Sequence, residues 1–311
     1  MSRILVSGSV AYDRIMNFAG NFTDHIVPDK MHTLSVSFQV EKVIEHFGGC
    51  AGNIAYNLAL LGEEPSIAAS VGKDFDRYEE HLLNHKISVD SLVRDPSDFT
   101  SVAHIITDSA NNQIAAFAMA AGAHPYGEFP GGEYEAAILG AGCVEDTLAF
   151  ARQAKEAGIP YYFDPGQAMP AFSAEALKEI ISGAAGLFGN DYEMGLIGEK
   201  TGWNEKEVLQ ETPLVVVTLG AKGSRILTAD GEITIAAAPI RTVVDPTGAG
   251  DAHRAGFVKG LMAQLPLKSC GQLASTVAAY AIEQAGTQNH SFTLEELAGR
   301  YEAAYGEKLT L

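Results

Sequence analysis

Short apolar segments alternate with helix-like segments along most of this chain, and this alternation constrains the fold more than any other feature. The strand-like segments lie at 3–7, 66–71, 137–141, 159–163, 185–188 and 213–218. The helix-like segments lie at 52–61, 75–84, 145–157 and 173–183, and the C-terminal third is helical at 250–264, 268–285 and 293–306. Strands that alternate with helices of this length predict an α/β fold with a mostly parallel sheet. Strongly apolar runs such as LVVVT are typical of strands covered on both faces.

Two segments interrupt this series with a period of two. Residues 32–40 alternate apolar and polar side chains, and residues 101–119 form two such runs around a polar turn at 109–112. Together with residues 15–19, they predict a small antiparallel sheet that projects as a lid. The lid would comprise 15–43 and 99–119, and the large domain 1–14, 44–98 and 120–311. The alternative, an extension of the central sheet, stays open.

The formal net charge of −18 excludes some classes of partner. Such a surface repels phosphate backbones and anionic lipid, so we expect neither nucleic acid nor membrane as a partner. The three cysteines are widely spaced without a CxxC motif, which indicates a reducing compartment. No apolar run approaches the length of about 18–20 residues that a membrane span requires. We therefore expect a cytoplasmic enzyme or binding protein.

The strongest chemical motif is the segment 242–257, TVVDPTGAGDAHRAGF. A short apolar strand ends at Asp245, and a glycine-containing turn leads into an amphipathic helix near Asp251. The backbone N–H groups of 248–251 can converge on an anion at the helix N-terminus. The helix dipole should keep Asp251 ionised. A carboxylate beside an anion site suits phosphoryl transfer to an alcohol, because the base takes the hydroxyl proton while charge develops on phosphate. By spacing alone, a structural first-turn aspartate remains an equal alternative.

Other interpretations of the glycine-rich segments are weaker. Gly72-Lys73 is followed by Asp74 and has no upstream P-loop glycine, and His253 occupies a position where a dinucleotide fingerprint needs Gly or Ala. The segment 48–52 spells GxCxG, a cysteine version of the hydrolase nucleophile elbow, but the residues before it are charged instead of apolar. A hydrolase and a non-catalytic nucleotide-binding protein are the two rival classes of function.

Five motifs resemble those of the ribokinase-type (PfkB) sugar and nucleoside kinases, in the order in which that family has them. DPTGAGDAHRAGF at 245–257 resembles the C-terminal signature, and GGCAGN at 48–53 resembles the N-terminal motif. Ser7-Gly8-Ser9 with Asp13 resembles the first strand and the substrate-binding aspartate. Residues 190–193 resemble the N-x-x-E motif, and 218–223 resemble the nucleotide-binding T-L-G-x-x-G turn. The resemblance covers essentially the whole chain.

The resemblance implies a ribokinase-like three-layer α/β/α fold with a β lid, MgATP as phosphoryl donor and a monovalent cation such as K⁺. It implies a catalytic group of Gly248, Ala249, Gly250 and Asp251. It implies substrate-binding residues Ser7, Asp13, Gly48, Gly49, Asn53, Gln113 and Phe117. It implies cofactor-binding residues Asn190, Thr218, Gly220, Gly223, Thr247 and Ala281, and metal-binding residues Asn190, Glu193 and Asp245. Pro246, where the family usually has Thr, removes a backbone donor beside the cation site. His253 stands where Phe is frequent.

The segments 112–117 and 280–288 resemble bacterial and archaeal adenosine kinases within this family. A purine needs a flat apolar surface, and Phe117 on a lid strand would supply one. The acceptor we expect is therefore adenosine, phosphorylated to AMP. A sugar acceptor is the alternative, and the alternative role of Phe117 is ordinary packing within the lid or in a homodimer formed through the lid.

Overall fold

The computed structural model describes residues 2–26, 35–110, 112–131 and 133–311. A nine-stranded sheet runs through the centre of the molecule in the order β13-β12-β11-β10-β9-β8-β1-β4-β5. Its strands are β1 (Arg3–Ser7), β4 (Glu64–Gly72), β5 (Ser88–Asp95), β8 (Ala136–Leu139), β9 (Tyr161–Phe163), β10 (Gly186–Asn190), β11 (Val215–Thr218), β12 (Ser224–Thr228) and β13 (Gly231–Ile235). The strands from β11 through β5 pair in parallel, and β12 and β13 pair antiparallel. The predicted α/β fold is thus confirmed.

Helices cover both faces of the sheet. They are α1 (Cys50–Leu60), α2 (Asp76–Asn84), α3 (Val144–Ala157), α4 (Ala174–Ile181), α5 (Asp191–Thr201), α6 (Glu205–Glu211), α7 (Ala249–Met262), α8 (Leu267–Ile282) and α9 (Leu294–Tyr305). One hydrophobic core contains Ile4 and Val6 of β1 with residues of α1, α2, α7, α8 and α9. The other contains Leu5 with residues of α3, α4, α5 and α6. Successive β1 side chains enter opposite cores because side chains alternate along a strand.

A separate four-stranded sheet, here called the small sheet, has the order β3-β2-β6-β7. Its strands are β2 (Ala11–Asn17), β3 (Lys42–Gly48), β6 (Ser101–Thr107) and β7 (Gln113–Ala118). The predicted 101–119 hairpin is the β6–β7 pair, which is antiparallel. Strands β2 and β3 both cross the predicted domain boundaries, and the division into two domains stays a prediction.

The predicted strand at 32–40 is wrong where it can be compared. Residues 32–34 lie outside the described residues, and 35–40 belong to no strand. Phe38 instead packs against Phe18 and Phe22, with ring centroids 5.0 Å apart in both pairs. The periodic pattern therefore reflects an aromatic cluster at the end of the small sheet, whereas the strand itself is the more charged segment that follows.

The sequence pattern also missed some elements. Strand β5, the β12–β13 pair and α6 were not predicted. Strand β5 lies at an edge of the sheet and contains no fully buried residue, so its sequence lacks the apolar run of a central strand. Helix α6 begins with an Asn–Glu capping box, which is the local signal that would have found it.

Candidate active site

The predicted site residues lie largely along one edge of the central sheet. Strands β1, β9, β10 and β11 are parallel, so their carboxyl ends meet at this edge. Asn190 ends β10 in register with Thr218, which ends β11. Asp164 follows β9 directly. Ligands of open α/β sheets bind outside the carboxyl ends of the strands, so this edge is the candidate site.

The glycine turn before α7 leaves backbone N–H groups without acceptors beside Asp251 among the described residues, and we call these groups the nest. Gly248, with φ of +76°, is the N-cap residue, and the backbone conformation there disfavours any other residue. Among the described residues, the N–H groups of Gly250 and Asp251 have no hydrogen-bond acceptor, and the first helical bond runs from Ala252 N to Gly248 O. Unpaired donors at a helix N-terminus attract an anion.

Asp251 lies among charged groups that set its protonation. Burial is the main cause that raises the pKa of Asp251 to about 7, and the carboxylates of Asp164 and Glu193 raise it further. Arg254 and a hydrogen bond from Asn53 act in the opposite direction. The expectation that the helix dipole keeps this group firmly ionised is therefore wrong, because desolvation and neighbouring negative charge outweigh the dipole.

Arg254 is a functional candidate that the sequence analysis missed. Its guanidinium is buried and pairs with Asp164, donating from Nη2 to Oδ1 at 2.9 Å, and it lies 3.7 Å from Glu193. The Arg254 guanidinium thus interacts electrostatically with three carboxylates, those of Asp164, Glu193 and Asp251. We call these four residues the carboxylate cluster. The available signal was an aspartate, Asp164, directly after an apolar strand, and an arginine in the helical turn that follows Asp251.

Asn53 is already engaged by protein groups. Its Nδ2 donates to Asp251 Oδ2 at 2.8 Å, and its Oδ1 lies 2.7 Å from Thr287 Oγ1 and 3.0 Å from Gln288 Nε2. An amide oxygen accepts two hydrogen bonds, so Asn53 has only one remaining N–H to offer a substrate. The predicted substrate contact is therefore restricted to that donor.

Asp13 on β2 of the small sheet and Asp245 in the segment before α7 form a second group of neighbouring carboxylates. Burial, and then the nearby Asp245, raise the pKa of Asp13 to about 6. A Cβ on Gly48 would lie 2.4 Å from the Asp13 carboxylate, so this glycine makes room for it. The pKa of Asp245 shifts in the opposite direction. Burial opposes its ionisation, but hydrogen bonds from the Gly286 and Thr247 N–H groups lower its pKa.

The predicted metal residues fit a cation only indirectly. Asn190 Oδ1 accepts from Glu193 N, and Glu193 Oε2 accepts from Asn190 N, each at 2.8 Å, so the two side chains cap α5. Glu193 Oε1 makes no hydrogen bond within the described part of the chain. No group of three or more metal-ligating side chains occurs there either. This donor set suits contact with Mg²⁺ through water, as hard cations retain several waters when bound with phosphates.

The remaining predicted site residues differ in their burial and in their contacts. The nucleotide turn has positive φ at Gly220 and Gly223, and Leu219 N donates to Gly223 O at 2.8 Å. Ser7 and Ala281 have fully buried side chains, and Ser7 Oγ is 2.9 Å from the Tyr126 hydroxyl. Gln113 and Phe117 lie exposed on β7, and Gln113 Nε2 is 3.4 Å from Thr107 Oγ1. Their roles stay predictions, as do those of Gly49, Thr247 and Ala249.

The cysteine alternative finds no support in the site. Burial, followed by the charge of Asp251, raises the pKa of the Cys50 thiol to about 12. Cys50 Sγ donates to Ala141 O at 3.1 Å, and the strand before it, β3, pairs antiparallel with β2 in the small sheet. A protonated thiol after such a strand is not the nucleophile of a hydrolase elbow.

No helix of the described residues is long and apolar enough to cross a bilayer.

Comparisons with known proteins agree with this geometry. The family model "pfkB family carbohydrate kinase" matches residues 2–294. A nucleoside kinase of Methanocaldococcus jannaschii is 32% identical over 306 residues, covering 97% of each chain. The structure of Burkholderia thailandensis nucleoside kinase in complex with inosine is 33% identical, covers 98% of each chain and has a TM-score of 0.87. The same enzyme in complex with ADP-inosine is 36% identical, covering 98% of this chain and 97% of that one, with a TM-score of 0.84. The chain therefore belongs to the pfkB family of carbohydrate kinases.

Proposed function

We propose that this protein is an ATP-dependent nucleoside kinase that phosphorylates the 5′-hydroxyl of a purine nucleoside, with Asp251 as the general base. The observation that carries the proposal is that the Asp251 carboxylate lies at the start of α7, beside the N–H groups of Gly250 and Asp251, which have no acceptor in the described part of the chain. Only a reaction that removes a proton while negative charge develops nearby uses both features. The relatives named nucleoside kinase support the acceptor class.

The reaction follows from these positions. Asp251 accepts the proton of the 5′-hydroxyl as that oxygen attacks the γ-phosphorus of ATP. The bond from the γ-phosphorus to the β–γ bridging oxygen breaks, and ADP leaves with the bond's electron pair. The N–H groups of the nest donate to the transferring phosphoryl oxygens. Mg²⁺ bound with ATP would neutralise phosphate charge, with Asn190 and Glu193 contacting its waters.

The substrate is proposed to span the two acidic regions of the site. Asp13 and the remaining Asn53 N–H would bind the 2′- and 3′-hydroxyls, which leaves the 5′-hydroxyl facing Asp251. The base would then project towards the small sheet, where Phe117 is 56% exposed and available for stacking. Adenosine is the acceptor suggested by the lid segment, and inosine is the nucleoside bound in the solved relative.

The test is the rate of ADP formation with ATP and a panel of acceptors: adenosine, inosine, guanosine, cytidine, ribose and fructose 6-phosphate. We expect kcat/KM for a purine nucleoside to exceed that for either sugar by at least about 100-fold, since base stacking and base hydrogen bonds are absent from the sugars. A sugar that is phosphorylated faster than every nucleoside would contradict the acceptor class and leave only the kinase reaction standing.

A further inference from the structure

Hydrogen-bonded polar side chains connect Asp251, through Asn53 and Gln288, to α2. Asn53 Oδ1 accepts from Gln288 Nε2 at 3.0 Å, Gln288 Nε2 also lies 2.5 Å from the Tyr78 hydroxyl, and Gln288 Oε1 lies 3.0 Å from His81 Nε2. Gln288 is 3% exposed and Asn53 is 4% exposed. We call these groups, with Asp251, the Gln288 network.

The direction of every hydrogen bond in this network follows from one backbone carbonyl. The Tyr78 hydroxyl lies 2.8 Å from Gly48 O, and because a carbonyl only accepts, Tyr78 must donate to it. Tyr78 must then accept from Gln288, which places the NH₂ group of Gln288 towards Tyr78 and Asn53. The Gln288 oxygen consequently faces His81, and His81 carries its proton on Nε2.

The same reasoning fixes the orientation of the Asn53 amide. Because Gln288 presents N–H groups, Asn53 must present its oxygen to Gln288 and its NH₂ group to Asp251. Thr287 does not supply this constraint by itself, since its single hydroxyl proton has two acceptors, Asn53 Oδ1 at 2.7 Å and Phe47 O at 2.8 Å. Buried polar groups that are fully paired specify one arrangement.

Burial and packing also keep the His81 end of the network neutral. Burial, and then the neighbouring His85, lower the pKa of His81 to about 4, and its ring stacks on Phe47 with centroids 4.3 Å apart. Gly52, one residue before Asn53, leaves space for the network: a Cβ there would lie 2.1 Å from the Tyr78 hydroxyl and 3.1 Å from Gln288 Nε2. The side chains that pack on Gly52 thereby explain the third glycine of the GGCAGN motif.

We propose that Gln288 is a positioning residue for the phosphoryl transfer, because it holds the Asn53 amide so that an N–H always points at the Asp251 carboxylate. The inference rests on the proposed function, in which Asp251 is the base. Without Gln288, the Asn53 amide can rotate and present its oxygen to Asp251, which repels the ionised form that accepts the substrate proton.

The experiment compares Gln288→Met with Gln272→Met in kcat, KM and the pH dependence of kcat. Gln272 is a matched control, since it is 4% exposed against 3% for Gln288, and its Oε1 accepts from the Tyr301 hydroxyl of α9, in a network that does not include Asp251. Gln288→Met should lower kcat about 10–150-fold, the effect of one buried hydrogen bond to a charged group, with KM for ATP unchanged. It should also move the acidic limb of the kcat profile to higher pH, whereas Gln272→Met should do neither.

The pH shift isolates the network because the other groups that face Asp251 are the same in Gln288→Met and Gln272→Met. These are Arg254 on the same helix, Asp164 after β9, Glu193 on α5, Cys50 on α1 and Tyr78 on α2. Should Gln288→Met fold poorly, Tyr78→Phe removes the hydroxyl that orients the Gln288 amide and should shift the profile in the same direction by less. Side-chain ¹⁵N NMR of the wild type should show His81 protonated on Nε2 and neutral at pH 6.

Asp251→Asn, measured beside these variants, separates the two hypotheses. If it loses turnover while Gln288→Met and Tyr78→Phe both behave like Gln272→Met, the positioning role is wrong and the proposed function stands. If Asp251→Asn retains turnover, the assignment of the base is wrong. A His81 ring protonated on Nδ1 alone would overturn the hydrogen-bond directions from which the proposal starts.

Discussion

The carboxylate cluster and the exposed strand β7 of the small sheet represent opposite ways of building a site. In the cluster, the side chains are buried, except for the partly buried Asp251, and they are paired: Arg254 with Asp164, and Asp251 with Asn53. On β7, all six residues are exposed, including Phe117. The difference indicates that the end proposed to react is preorganised before substrate arrives, whereas the end proposed to bind the base gains its contacts on binding. Preorganised groups cost no reorganisation during the reaction.

The largest test of this contrast removes the charge from the cluster. Asp251→Asn should lower kcat by about 10²–10⁴, the usual contribution of a positioned base, with little change in nucleoside binding measured by calorimetry. Asp146→Asn is the matched control, because Asp146 is likewise the third residue of its helix and burial raises its pKa as well. Turnover of Asp251→Asn within a few-fold of wild type would exclude the base role.

The corresponding change at the open end is Phe117→Ala. Stacking of a base on an aromatic ring contributes about 1–3 kcal/mol, so adenosine should bind about 5–150-fold more weakly, and ribose should be almost unaffected. Phe99→Ala provides a control of equal exposure, 55% against 56%, on the loop before β6. If kcat/KM for adenosine is the same in Phe117→Ala and Phe99→Ala, the base stacks elsewhere.

Glu193 tests whether the cluster also serves the metal. Glu193→Ala should raise the Mg²⁺ concentration needed for half-maximal activity by about 10-fold, which is the usual effect of losing a group that contacts a metal through its ligands. The control is Glu207→Ala, which removes the same capping-box contact from α6, where Glu207 Oε2 accepts from Asn204 N at 2.8 Å. Equal Mg²⁺ titrations for the two variants would show that Glu193 only caps its helix.

Hydrogen exchange compares the two regions directly in the unmodified protein. Peptides from β6 and β7 should exchange faster than those from β1 and β10, because β7 is an exposed edge and the central strands are buried on both faces. Nucleoside should slow exchange in β6 and β7 and leave β1 and β10 unchanged. Identical exchange with and without nucleoside would contradict closure of the small sheet over substrate.

The smallest expected effect is on stability as a function of pH. The pKa of Asp251 is raised on folding, so its contribution is most favourable below the unfolded pKa near 4 and is lost as pH rises through about 7. The Tm of Asp251→Asn relative to wild type should therefore increase between pH 4 and pH 8. A constant difference across that range would mean that Asp251 keeps its ordinary pKa.

Much of the fold could be predicted because its signals are local. The α/β class and the 101–119 hairpin followed from periodicity, and α7 followed from the turn before Asp251. Edge strand β5 was missed because its exposed faces give no apolar run, and residues 35–40 were misassigned because Phe38 packs in an aromatic cluster. Periodicity reports that one side of a segment is buried, but it does not say against what.

For the site, the sequence by itself determined which chemistry-bearing residues are present and the order of their motifs, including Asp13, Asn53, Glu193 and Asp251. Only the tertiary structure decided their pairing and their charge. Arg254 meets Asp164 across 90 residues of sequence, and Gln288 meets Asn53 across 235. The pKa of Asp251 rises because packing removes water from it. Desolvation and through-space pairing are properties of the folded environment, and a motif does not encode them.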